Sequence, residues 1–229
     1  MLQLGLETST SLGSVALAEE GSLVAESSLD VRATHSETVL PEIDRLMQRC
    51  ERDVTELGSV VVGAGPGSFT GVRIAASIAK GLCFARGLPL YAYSSLSALA
   101  AGTGVHGPVC AMFDARRGEV YAAAFRDAAA SEISTVIEPT AAPLTELLDR
   151  LEDPADWSFV GEGAVAYAEI IRAAGGRLLP TGLGLPRAAT LLRLARKWPD
   201  RGLVATPAMW EPLYVRRSGA ERQVERARS

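Results

Sequence analysis

The twelve residues from Gly63 to Ile74, Gly-Ala-Gly-Pro-Gly-Ser-Phe-Thr-Gly-Val-Arg-Ile, constrain this chain more than any other stretch. They follow the apolar run Val60-Val61-Val62 and lead into a small-residue segment that ends at Arg86. Four glycines in nine positions, with Pro66 among them, open backbone conformations closed to other residues. A strand that ends in such a loop and re-enters as a helix places a function-bearing turn at a sheet edge. Three familiar sites use loops of this kind. A dinucleotide fingerprint needs a third glycine where Ser68 stands and an acid about 20 residues on, a distance that lands near Ala85 and Arg86. A Walker loop needs Gly-Lys-Ser/Thr, which the chain lacks. A nucleophile elbow needs Gly-x-Ser-x-Gly, whereas Ser68 lies between Pro66-Gly67 and Phe69-Thr70. What remains is a site of another kind, or a structural turn feeding a packed helix.

Around this loop the chain reads as two lobes. Leu2 to Leu6, Leu12 to Ala18 and Leu23 to Leu29 are expected as three antiparallel strands. A helix follows, with Thr34 and Glu37 spaced as a capping box and Val39, Ile43, Leu46 and Cys50 on one face. Pro41 falls inside it and is expected to bend it, because Glu37 loses its backbone partner. Strand Val60 to Val62, a helix from about Thr70 to Arg86, strand Leu88 to Tyr93 and helix Ser94 to Ala101 complete the first lobe. Ala101-Gly-Thr-Gly-Val-His-Gly-Pro108 breaks the pattern, dividing residues 1–103 from residues 104–229. Val109 to Phe113 and Val120 to Phe125 then form a second hairpin, followed by helices at Leu144 to Leu151, Ala164 to Ala173 and Ala188 to Trp198, with a strand at Trp157 to Val160. Glu7 closes the first strand of one lobe and Asp114 the first strand of the other, about 107 residues apart.

Hydrophobic residues make up 48% of the 229, enough for two lobes of about 100 residues each. No apolar stretch approaches the roughly 18 residues of a membrane span, and the N-terminus reads as a strand rather than a secretory leader. Cys50, Cys83 and Cys110 lie far apart, consistent with reduced thiols in a cytoplasmic protein. His35 and His106 are too few for a histidine-rich metal centre. The net charge of −4 argues against unaided RNA binding, which needs a basic face. The only basic stretch legible in the sequence is the tail beyond about residue 213, where Arg216 to Arg228 holds five arginines against two glutamates. It reads as a solvated or partly helical tail, or as an auxiliary nucleic-acid contact.

The segment Gly63 to Ile74 resembles the signature of the TsaB (YeaZ) family, and the likeness continues on both sides. Leu4 to Leu17 is similar to that family's opening hairpin, Thr34 to Pro41 to its first helix and Tyr93 to Ala100 to its third. Asp114 to Tyr121 is similar to the turn that opens its second half. The resemblance implies an α/β fold of the actin-like ATPase type (ASKHA, a duplicated ribonuclease H-like fold), two lobes each with a mixed sheet and flanking helices. In that superfamily hairpins from both lobes clasp nucleotide phosphates. Thr8, Ser9 and Gly13, with Thr10 and Ser11, suit such a turn by their hydroxyls and backbone N–H groups. Arg116 and Arg117 crowd the second turn, and Glu7 stands where the family commonly has aspartate, so no tight cofactor binding is expected of this chain alone.

The resemblance also implies a role. TsaD, the family's catalytic relative, transfers threonylcarbamoyl to the adenosine beside the anticodon of tRNAs reading A-starting codons, and holds a metal through two histidines of its third helix. Ser95 and Leu99 stand at the matching positions here, and neither replaces an imidazole ligand. The expectation is therefore a non-catalytic subunit that pairs with TsaD through first-lobe helices, engages the ATPase TsaE, contacts tRNA only through the complex and self-associates when alone. The implied contacts are His35, Ser36, Leu40, Ile43, Phe69, Thr70, Arg73 and Ile74. Gly71, Ala75 and Ala79, four apart, would let another backbone approach, or would serve core packing. Two alternatives stay open: an actin-like small-molecule kinase or ATPase, and an inactive homologue of a glycoprotease-like peptidase.

Overall fold

Three strands open the fold because apolar residues alternate along them. In β1 (Leu2–Glu7), Leu2, Leu4 and Leu6 share one buried face. β1 pairs antiparallel with β2 (Leu12–Glu19), which pairs antiparallel with β3 (Ser22–Asp30). After α1 (His35–Arg49) the chain adds β4 (Leu57–Gly63) parallel to β1; after α2 (Phe69–Arg86) it adds β5 (Leu90–Tyr93) parallel to β4. The first sheet thus has the order β3-β2-β1-β4-β5. The computed structural model describes residues 1–30, 35–127 and 133–215. The capping box expected at Thr34 and the arginine-rich tail lie outside them.

α3 (Ser95–Gly102) leads to the second half, which repeats the plan. β6 (Val109–Arg116), β7 (Glu119–Arg126) and β8 (Ser134–Pro143) form an antiparallel meander. After α4 (Leu144–Asp149), β9 (Ser158–Val160) lies parallel to β6. α5 (Glu162–Ala166) and α6 (Ala168–Ala173) precede β10 (Arg177–Leu178), parallel to β9. The order β10-β9-β6-β7-β8, read from β8, is that of the first sheet. α7 (Ala188–Lys197) and α8 (Pro199–Gly202) close the helical set.

β1 to β5 correspond to β6 to β10, with α3 matched by α7. The two third helices are exchanged between sheets. α3 sends Leu96, Leu99 and Ala100 onto Ala111, Phe113, Ala123 and Phe125 of the second sheet. α7 sends Ala188, Leu191 and Leu192 onto Ala16, Ala18 and Val61 of the first. Gly5 permits this approach, since a Cβ there would stand 2.9 Å from the Ala188 carbonyl. The opposite face of the first sheet, with Leu4, Leu6, Val15, Leu17, Val60 and Val62, receives Val39, Leu46, Met47, Ala75 and Ala79 from α1 and α2.

α1 is a single helix with Pro41 inside it. Other expectations are corrected. The helix expected from Ala164 to Ala173 is two, meeting at Tyr167, whose ψ of 26° leaves helical geometry. β8 carries no strand signal in the sequence because Pro139 interrupts it; at a sheet edge, beside shifts of register, proline sacrifices no ladder bond the sheet needs. Residues beyond α8 do not stay with the second sheet. Val204 N donates to the Leu90 carbonyl, Lys80 Nζ to the Trp210 carbonyl and Leu213 N to the Ala64 carbonyl. This strap lies across β5 and α2 of the first lobe.

Candidate functional site

The first hairpin turn is knitted to the glycine loop by its own polar groups. Glu7 Oε1 accepts from the Ser9 N–H at 2.7 Å, and Oε2 accepts from the Ser95 hydroxyl at 2.8 Å. Ser95 Oγ in turn accepts from Gly65 N, and Ser95 N donates to the Gly65 carbonyl. Thr8 Oγ1 donates to the Gly71 carbonyl at 2.7 Å, and Ser68 N donates to the Ser9 carbonyl at 2.7 Å. The loop must be glycine at these contacts. A Cβ at Gly63 would strike the Glu7 carboxylate, and one at Gly67 would strike the Ser9 carbonyl. Ser68 caps α2, its hydroxyl accepting from Gly71 N.

Glu7 is fully buried, and that burial pushes its carboxyl above the ordinary range against the opposing pull of Ser9 and Ser95. The Ser9 hydroxyl sits beside the carboxylate without a hydrogen bond of good geometry.

Between the lobes lies a cleft of about 680 Å³. One wall is Ser9, Thr10, Ser11 and Ser68; the other is Asp114, Arg116, Tyr121 and Glu162. Of the expected phosphate turn, Ser9, Thr10 and Ser11 line it, and Thr8 and Gly13 do not. Thr8 spends its hydroxyl inward, and Gly13 lies inside β2 opposite Leu29. On the far wall, Asp114 Oδ1 accepts from Arg116 N at 2.7 Å, as Glu7 accepts from Ser9 on the near side. Glu162 opens α5, its carboxyl pushed up by burial first and by Asp114 second, with Arg116 opposing. That wall therefore carries two carboxylates, Asp114 and Glu162, and one guanidinium, Arg116.

The second site is the outer helical face. Leu40 of α1 and Phe69, Thr70, Arg73, Ile74, Ser77 and Ile78 of α2 line a groove of about 500 Å³. Leu40 is 52% exposed, Phe69 49% and Phe84 89%. The Arg73 guanidinium sits 4.4 Å from the centroid of the Phe69 ring, which also meets the Tyr214 ring at 5.6 Å. Of the expected contacts, Leu40, Phe69, Thr70, Arg73 and Ile74 converge here. Ile43, expected at the surface, is a core residue under α1. The side chains of His35 and Ser36 lie outside the described residues. Gly71, Ala75 and Ala79 are buried on the inner side of α2 and serve core packing. The placing of Ser95 against Glu7, and of Tyr214 against Phe69, had no local sequence signal; each joins segments far apart in the chain.

Two matched sheets, exchanged third helices and a cleft between hairpin turns define a two-lobed α/β protein of the actin-like class. Comparisons with known proteins narrow the class. The family described as "TsaD: tRNA N6-adenosine threonylcarbamoyltransferase" matches residues 29–223. The tRNA threonylcarbamoyladenosine biosynthesis protein TsaB of Escherichia coli is 32% identical over 225 residues, 95% of each chain. The Bacillus subtilis protein of the same name is 38% identical over 122 residues, 53% of each chain. Among solved structures, YeaZ from Pseudomonas aeruginosa superposes with a TM-score of 0.76 at 30% identity, covering 93% of this chain and 99% of that one. The chain belongs to the TsaB (YeaZ) family.

Proposed function

We propose that this chain is a non-catalytic docking subunit in tRNA threonylcarbamoyladenosine biosynthesis, the process for which its curated relatives are named. It pairs with a TsaD-type transferase through the outer face of α1 and α2, and the pair engages the ATPase TsaE. The observation that carries this reading is the groove of Leu40, Phe69, Arg73 and Ile74, apolar and open on a face where the chain offers nothing to cover it among its described residues. The interlobe cleft supports it from the other side. Its far wall is acidic, and where TsaD carries metal-binding histidines Ser95 is committed to Glu7 while Leu99 is buried in the core. In the absence of TsaD the same face pairs two copies of the chain. No helix among the described residues is long and apolar enough to cross a membrane, in keeping with work in the cytoplasm.

The test is co-purification with TsaD. Arg73→Glu and Ile74→Glu, both at the groove, abolish association while circular dichroism stays that of the parent. Unchanged association in both variants removes the assignment.

A further inference from the structure

The outer groove is apolar except for one cation. Leu40, Phe69, Ile74 and Ile78 line it, and Arg73 is the only charged side chain among its described walls. A guanidinium carries five N–H donors in a planar fork that fits the two oxygens of a carboxylate. Arg73 is exposed and meets no carboxylate among the described residues. Of the described acids of α1, Glu42 accepts from Arg45 and Ser27, and Asp44 accepts from Gln48. No acid lies in the first turn of α2. Lys80, further along that helix, donates to the Trp210 carbonyl, so its charge is turned to the strap and away from the groove's lining.

The Arg73 guanidinium is also held in place. It lies 4.4 Å from the centroid of the Phe69 ring, and that ring meets Tyr214 of the strap at 5.6 Å. Stacking on a ring occupies the face of a guanidinium and leaves its N–H edge for a ligand. An arginine fixed in this way loses less freedom when it pairs, which favours binding. Its apolar surroundings add to this, because a charge pair made there is shielded from water once the groove is covered.

The same lining decides what the groove disfavours. In a symmetric pair one patch meets its own copy. A second copy centred on this groove brings Leu40, Ile74 and another Arg73, and its described lining offers no carboxylate. Each guanidinium is then covered without a counter-charge, which is costly.

We propose that Arg73, seated on Phe69, is the specificity determinant of this face: it takes a protein partner that presents a carboxylate within an apolar surface, and it weakens pairing between copies of this chain. This rests on the docking role proposed for the groove and names the chemistry of the partner there. A single cation between apolar walls suits a protein's carboxylate and not a run of phosphates, which needs several cations.

The experiment measures two associations in the same variants, that with TsaD by titration calorimetry and that of the chain with itself by analytical ultracentrifugation. Arg73→Gln removes the charge and keeps a polar side chain, and Arg73→Met keeps the apolar stem alone. In both, affinity for TsaD falls at least about tenfold, the loss expected when one member of a covered charge pair is removed, while self-association does not fall. Unchanged TsaD affinity overturns the proposal. So does a parallel fall of both associations, which would mean that Arg73 only shapes the face through Phe69. Ile74→Glu tests the docking reading separately, since it removes TsaD binding wherever the groove is the interface, whatever Arg73 contributes. TsaD binding untouched by Ile74→Glu removes that reading and this inference with it.

Discussion

The hydroxyl of Ser95, at the start of α3, donates a 2.8 Å hydrogen bond to Oε2 of Glu7, the last residue of β1. Through it the first hairpin, the glycine loop and the third helix share one buried carboxyl group, since Ser9 N and Gly65 N complete the cluster. The arrangement ties the two turns and the third helix of the first lobe together at one buried point.

That carboxyl sets a pH dependence. Burial raises the Glu7 pKa in the folded chain above its ordinary 4.5, so the folded state binds its proton more tightly than the unfolded state. The stability this contributes is present below the unfolded value and is lost as pH rises through the folded one. Glu7→Gln keeps an acceptor for Ser9 N and removes the buried charge. Its urea midpoint is expected above the parent's at pH 7–8, the gap closing toward pH 4. A lower midpoint at every pH would show that the charge itself is needed.

Phe69 walls the interlobe cleft, the groove and a small pocket beneath the strap, which also includes Leu213 and Tyr214. The strap is therefore expected to hold the docking face in shape. Truncation after Val204 removes the Lys80–Trp210 and Ala64–Leu213 hydrogen bonds and the ring contact with Tyr214. It should cost about 2–4 kcal/mol in chemical unfolding. Amide exchange in the first turns of α2 should rise with it.

How much of this could be read from the letters depends on how local each cause was. The first meander, the second hairpin and the stop of α2 at Gly87, with φ of 64°, follow from near neighbours and were legible. The duplication was legible too, from Glu7 at the end of β1 and Asp114 near the end of β6. Ile43 was misplaced because a broad apolar face does not say which of its residues turns to the sheet and which, like Leu40, turns outward. Gly13 was misplaced because the turn ends at Ser11 and β2 has already begun.

The three thiols should separate by burial. Cys110 is buried in the second sheet with its pKa pushed up to about 12, and Cys83 is pushed up to about 11, both by desolvation. Thiolate is the reactive form, so neither should alkylate readily at pH 8 in the folded chain. Cys50 is only partly buried, at the end of α1. Mass spectrometry after brief iodoacetamide treatment should find Cys50 modified first, the others following only in denaturant. Early labelling of Cys110 would contradict the packing of its sheet.

The second hairpin carries strain that a substitution can relieve. Arg116 pairs with Glu119 across a two-residue turn of Arg117 and Gly118, whose φ values of 59° and 81° make both left-handed. A hairpin turn of this hand suits the right-handed twist of its strands and prefers Asn-Gly, because asparagine tolerates positive φ better than a long side chain does. Arg117 is exposed at the tip, outside the residues that line the cleft. Arg117→Asn should therefore stabilise the chain by about 0.5–1 kcal/mol in thermal or chemical unfolding. Gly118→Ala, which forces a Cβ into the left-handed region, should destabilise it by about 1 kcal/mol. Opposite signs at adjacent positions would establish the turn's geometry; a destabilising Arg117→Asn would mean that the arginine makes a contact worth more than the strain.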